Sequence, residues 1–165
     1  MMGMNFTGLA GPWPLAAGLQ LVPLLAALLL MRLRGQPAFG LALLAVTLEL
    51  GLATALYLHF DPGQAAGVMQ FSEHLPLFGA LQYHAGVDGM SVLFVLLSAV
   101  LGFLSVVFVL FRQLHGTTIL AVIMALQATL MSQFLTLDLL WFCLMGMLQV
   151  LLTAYLSWRW PTSAD

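Results

Sequence analysis

Apolar residues run along this chain in long, nearly unbroken stretches, not in the helical or strand alternation of a half-buried surface element. Five such stretches cover residues 13–33, 38–60, 88–111, 116–136 and 138–158. Each is close to the roughly 20 residues a helix needs to cross the hydrocarbon of a bilayer. The pattern predicts an all-α integral membrane protein of about five transmembrane helices, forming one membrane domain over residues 1–165. The breaks suit helix ends. Gly35, Gln36 and Pro37 make a tight turn, Asp61, Pro62 and Gly63 stop the second stretch, and Arg112 stops the third. Between the last two stretches the break is confined to Thr136 and Asp138, with Asp138 read as an N-terminal cap favoured by the helix dipole. Pro14 suits a first helical turn, while Pro23 predicts a kink that membrane helices tolerate. Residues 61–87 are the one connection long enough to be a structured loop.

Composition strengthens this reading. Hydrophobic residues make up 62% of the chain and charged residues 6%, with a mean hydropathy of +1.07. A water-soluble domain with about 25% charge has a polar coat that this chain cannot assemble. With four basic residues and a net charge of −2 there is no basic patch for nucleic acid. The single cysteine, Cys143, lies in an apolar run and reads as a small packing residue. The ten Met and eleven Phe read as packing side chains as well.

The few charges set an orientation. Arg32 and Arg34 fall between the first two spans, Arg112 between the third and fourth, and Arg159 after the fifth. An up-and-down arrangement of five spans gathers all of them on one side. Asp61, Glu73 and Asp88 fall on the other. Positive charge marks the cytoplasmic face, so the N-terminus is expected outside and the C-terminus inside. The first span has no basic residue before it and two arginines directly after it, unlike a cleaved signal peptide.

Chemistry-bearing residues are scarce. Glu49 sits near the middle of the second span, where a charge costs several kcal/mol. It is expected to be neutral there. It reads either as a proton-handling site or as a polar tie to a neighbour such as Thr47 or a glutamine. Tyr57, eight residues on, is assigned to roughly the same face. Gln20, Gln127 and Gln149 also fall within spans, lining a polar path or binding helix to helix. Glu49, Gln127 and Gln149 are the proton-handling candidates. His59, His74, His84 and His115 lack metal-site spacing and read as loop or interfacial residues; no metal and no cofactor is expected. Asn5-Phe6-Thr7 matches a glycosylation sequon next to the membrane, a weak signal. No nucleophile elbow or phosphate-binding loop is present, so no catalytic residue is assigned and catalysis by the chain alone is not expected.

Two segments carry a resemblance. Tyr83 to Leu97 contains Gly86, Val87, Asp88, Gly89, Met90 and Ser91 directly before and within the third span. Phe134-Leu-Thr-Leu-Asp-Leu-Leu-Trp-Phe142 opens the fifth. Together they resemble the antiporter-like membrane subunits of respiratory complex I, the M and L type, and their relatives in Mrp sodium/proton antiporters. In that family an extended loop leads into a Gly-Val-Asp-Gly-apolar-Ser segment, and a Phe-x-x-x-Asp-Leu-x-x-Phe motif opens the fifth helix. The resemblance implies structural roles for Gly86, Asp88, Gly89, Ser91 and Asp138. The first two spans fit by position alone. Pumping members carry an essential Glu nine residues after the motif Asp and a Pro soon after it; here these positions hold Met147 and Leu152. Family members continue into further helices built as inverted repeats and use lysines there. The resemblance therefore implies a truncated member without the proton-pumping acid.

The function expected on this basis is that of an accessory or scaffold subunit of a multi-subunit proton- or ion-coupled complex. Its expected setting is the cytoplasmic (inner) membrane of a prokaryote. Its expected partners are the lipid bilayer, a larger antiporter-like membrane subunit and a soluble catalytic subunit. Two alternatives stand beside it. One is a proton-conducting subunit in its own right that uses Glu49. The other is the membrane partner in an inorganic-carbon uptake complex.

Overall fold

The computed structural model describes residues 15–61, 70–78, 81–112 and 117–159. The sequon at Asn5, Pro14, His115 and the polar stub after Arg159 lie outside these residues, as do the side chains of Glu73, His74 and His84. The described residues form five helices: α1 (Leu15–Leu30), α2 (Gln36–His59), α3 (Gly89–Phe111), α4 (Thr117–Leu135) and α5 (Leu139–Arg159). The last four are long and apolar enough to cross a membrane. The described part of α1 is shorter, at 16 residues, or about 24 Å of helix. Pro23 lies inside α1 and is buried.

Helix ends follow local chemistry. Gly35 begins α2 at φ 75°, a left-handed conformation that glycine adopts without steric cost, and Pro37 follows in the first turn, where its missing N–H is harmless. Asp88 caps α3: its Oδ1 accepts the Ser91 N–H at 2.6 Å. Asp138 caps α5 in the same manner, accepting the Leu140 N–H at 2.9 Å.

One feature departs from an all-helical chain. Within 61–87, the strands β1 (Gln70–Phe78) and β2 (Leu81–Val87) pair antiparallel as a hairpin. The register slips between Gln70 and Glu73, and there Phe71 takes φ 54°. A bulky residue is strained in that region. Phe71 is nonetheless buried, packed in one core with Ala16, Leu19, Leu56, Val92 and Leu135, and this burial offsets the strain. A backbone bridge from Ala85 to Thr136 ties β2 to the end of α4. The hairpin thus closes one end of the bundle, and the arginines occupy the other.

α4 is the hub. It touches α1, α2, α3, α5 and β2, and it has ten buried residues. α1 pairs with α2 and α2 with α3. α5 contacts α4 and β2, and none of its residues is buried. The interior has two apolar cores. One lies under the hairpin. The other lies toward the arginine end and is rich in alanine: Ala26, Ala27, Ala38, Ala42, Ala45 and Ala121. Small side chains let helices approach closely where dispersion, not water exclusion, drives association.

Candidate functional site

Between the two cores, every one of α2, α3 and α4 places a polar group. Glu49 of α2 is 1% exposed and Gln127 of α4 is 4% exposed; Ser98 of α3 is buried too. Gln127 Nε2 donates to the Ser98 carbonyl at 2.9 Å and approaches the Ser98 Oγ at 3.3 Å. The Gln127 side chain also interacts with the Glu49 carboxyl. Glu49 Oε1 is buried without a hydrogen-bond partner. Gly102, one turn beyond Ser98, makes the arrangement possible, since a Cβ there would meet the Gln127 Cδ and Oε1 at 2.8 Å. Chemically, the cluster offers one carboxyl beside an amide whose nitrogen also bonds Ser98.

Two further polar ties run through α4. Ser132 Oγ accepts the Trp141 indole N–H of α5 at 2.8 Å and donates to Gln20 Oε1 of α1 at 3.3 Å. Gln133 Nε2 donates to Gln149 Oε1 of α5 at 2.6 Å. Gln149 is therefore paired within the α4–α5 contact, separate from Glu49, and Gln20 belongs to the Ser132 tie. The three sequence candidates divide: Glu49 and Gln127 meet, and Gln149 stands apart.

Two local expectations need correction. Thr47 does not pair with Glu49; its hydroxyl donates to the Leu43 carbonyl one turn back in its own helix. Tyr57 does not share the Glu49 face. Eight residues leave it nearly a quarter-turn off at 3.6 residues per turn, and it is exposed while Ala53 and Leu56 continue the buried stripe. His59 Nδ1 lies 2.8 Å from the Ala55 carbonyl and is spent locally.

The motif residues lie together at the hairpin end. Gly86 is buried in β2, and Asp88, Gly89 and Ser91 form the start of α3. The Ser91 backbone N–H, then the Ser91 side chain, hold the Asp88 carboxyl below its usual range. Met147 is 67% exposed on α5. Ser98, Gly102, Ser132, Gln133 and Trp141 were not singled out from sequence. Ser98 and Gly102 form a small-x-x-x-small pair, a recognisable helix-contact signal; Ser132, Gln133 and Trp141 carry no such signal.

Because α4 is the one helix that α5 leans on, open grooves flank it. A cleft of about 320 Å³ separates α5 from α1 near Gln20, Trp141 and Met145. A larger groove of about 930 Å³ runs between α3 and α5 across α4, with Ser98 and Gln127 in its wall. Phe94 and Phe134 stack at its hairpin end with centroids 5.6 Å apart.

Five packed helices with a broad apolar exterior and an internal polar layer define a multi-pass helical membrane protein. Within that class, the chain is similar to F(420)H(2) dehydrogenase subunit M of Methanosarcina mazei, at 32% identity over 130 residues. The match covers 76% of this chain and 26% of that protein, so the chain spans about a quarter of its relative's length. No family model matches the chain.

Proposed function

We propose that this chain is an antiporter-like subunit of a multi-subunit, proton- or ion-coupled membrane complex, acting by docking and scaffolding. The observation that carries the reading is α5. It has no buried residue, yet it is less apolar than the partly buried α3. A helix meant for lipid on nearly all sides would be the more apolar of the two, since lipid cannot satisfy polar groups. Cys143, Thr153 and Ser157 instead stand exposed along it. Further protein helices beside α5 account for this composition. The similarity to a dehydrogenase subunit supports the same reading. Met147 supports a structural role for α5, because a thioether neither takes up nor releases a proton.

The decisive test is gentle detergent purification of the tagged full chain, with mass spectrometry of what remains bound. Stoichiometric retention of a larger antiporter-like subunit or a soluble oxidoreductase subunit is expected. A lone chain, or copies of this chain alone, would sink the reading.

A second reading is favoured by the orphaned Glu49 Oε1 beside Gln127. Here Glu49 exchanges protons within the polar layer, as a conducting subunit requires. The variant Glu49→Gln separates the two. For a scaffold, assembly and ion coupling of the complex survive the change. Loss of coupling in a fully assembled complex would make Glu49 the titrating group.

A further inference from the structure

We propose that the groove between α3 and α5 binds one acyl chain of an anionic phospholipid, with Arg112 holding its phosphate. The inference needs only that the helices span a membrane and that the α3 side of α5 stays open to lipid. The lower groove is lined by Leu101, Leu104, Phe108, Ile119, Ile123 and Leu156, and the Ser105 hydroxyl among them is spent on the Leu101 carbonyl at 2.8 Å. From Leu101 to Phe111 it follows α3 for about 15 Å at the rise of an α-helix. That is half of a roughly 30 Å hydrocarbon core, or one leaflet.

A charge stands where the headgroup would be. Arg112 follows Phe111 directly, is exposed, and sets its guanidinium over the Phe108 ring at 5.7 Å from the centroid. Phe108 lines the groove, so the cation is held at its mouth. Arg159 closes α5 three residues beyond the groove residue Leu156. Among the described residues this end of the bundle carries Arg32, Arg34, Arg112 and Arg159 and no acidic side chain. Its field therefore favours an anionic headgroup over a zwitterionic one. Near the bilayer middle the buried Ser98 and Gln127 stand behind the wall, and Leu97, Phe94 and Phe134 carry the apolar surface on toward the hairpin end.

The test is native mass spectrometry of the delipidated full chain, titrated with phosphatidylglycerol or phosphatidylcholine of identical tails. Two variants are compared with the wild type. Arg112→Gln removes the charge at an exposed helix end and leaves the bundle intact. Leu104→Trp fills the groove from its exposed side. Retention of phosphatidylglycerol is expected to exceed that of phosphatidylcholine by about fivefold, and Arg112→Gln to erase the preference. Leu104→Trp is expected to abolish retention of both lipids. Equal retention of the two lipids by the wild type would overturn the proposal. So would a preference that persists in Arg112→Gln, or adducts undiminished in Leu104→Trp, which would mark headgroup binding outside the groove.

Discussion

At position 127 an amide is held by partners on another helix. Gln127 of α4 reaches the backbone and hydroxyl of Ser98 on α3, and this reach exists because residue 102 has no side chain. Interhelical hydrogen bonds in membranes average about 0.6 kcal/mol and rarely exceed about 1.7. Gln127→Ala removes such contacts and leaves a small void, so a loss of about 1–3 kcal/mol in thermal or denaturant unfolding is expected. Gly102→Ala is expected to have a similar effect by a different route, since its methyl displaces the amide from Ser98. In the double variant the two losses should not add, because both remove one interaction. Additive losses would show that Gly102 and Gln127 act separately. That a carboxyl at Glu49 is costly was legible from its position in an apolar run. Its meeting with Gln127 was not, because 78 positions of chain separate them and nothing in either span fixes which face turns inward. Tyr57 illustrates the same limit: over eight residues helical phase drifts by nearly a quarter-turn, and that offset moves it from the buried stripe to the surface.

Among the elements, α3 and α5 begin with the same device. Asp88 and Asp138 each accept a backbone N–H at a helix start. Asp88→Ala is expected to cost about 1 kcal/mol, and Asp88→Asn much less, because Asn also caps. The Ser91 N–H and hydroxyl hold the Asp88 carboxyl below its usual range. Its charged form thus contributes stability at pH above the ordinary carboxyl range. That contribution fades as pH falls through the lowered folded value. Unfolding measured against pH should show the gap between wild type and Asp88→Ala narrowing on acidification. A gap that widens in acid would reject this account. The effect is small, since Asp88 is exposed and water screens it. The apolar runs disclosed five helices because bilayer thickness fixes a length that sequence displays directly. The hairpin was foreseen only as a structured loop. Its pairing rests on long-range register and on the burial of Phe71, neither of which a periodicity carries.

For the whole molecule, orientation is the expectation with the most direct test. We propose that the arginine end faces the cytoplasm. Cys143 is the sole cysteine, so Cys143→Ala gives a background for single-cysteine labelling. With an impermeant maleimide on intact cells, Asp61→Cys should label and Arg34→Cys should not until the membrane is opened. The reverse pattern would invert the assignment.

Sequence by itself determined that this is a helical membrane protein, with five apolar runs where the described residues form five helices, and with its four arginines beside the same set of helix ends. These properties are local: each depends on the length of an apolar run, a cap or a charge beside it. Tertiary structure alone decided that α4 is the hub, that α5 is left without a buried residue, and that Glu49, Ser98 and Gln127 form one layer between two apolar cores. In lipid all faces of an apolar helix look nearly alike to the solvent. The choice of which face turns inward therefore falls to small residues such as Gly102 and to polar partners such as Ser98, which become decisive only when helices meet.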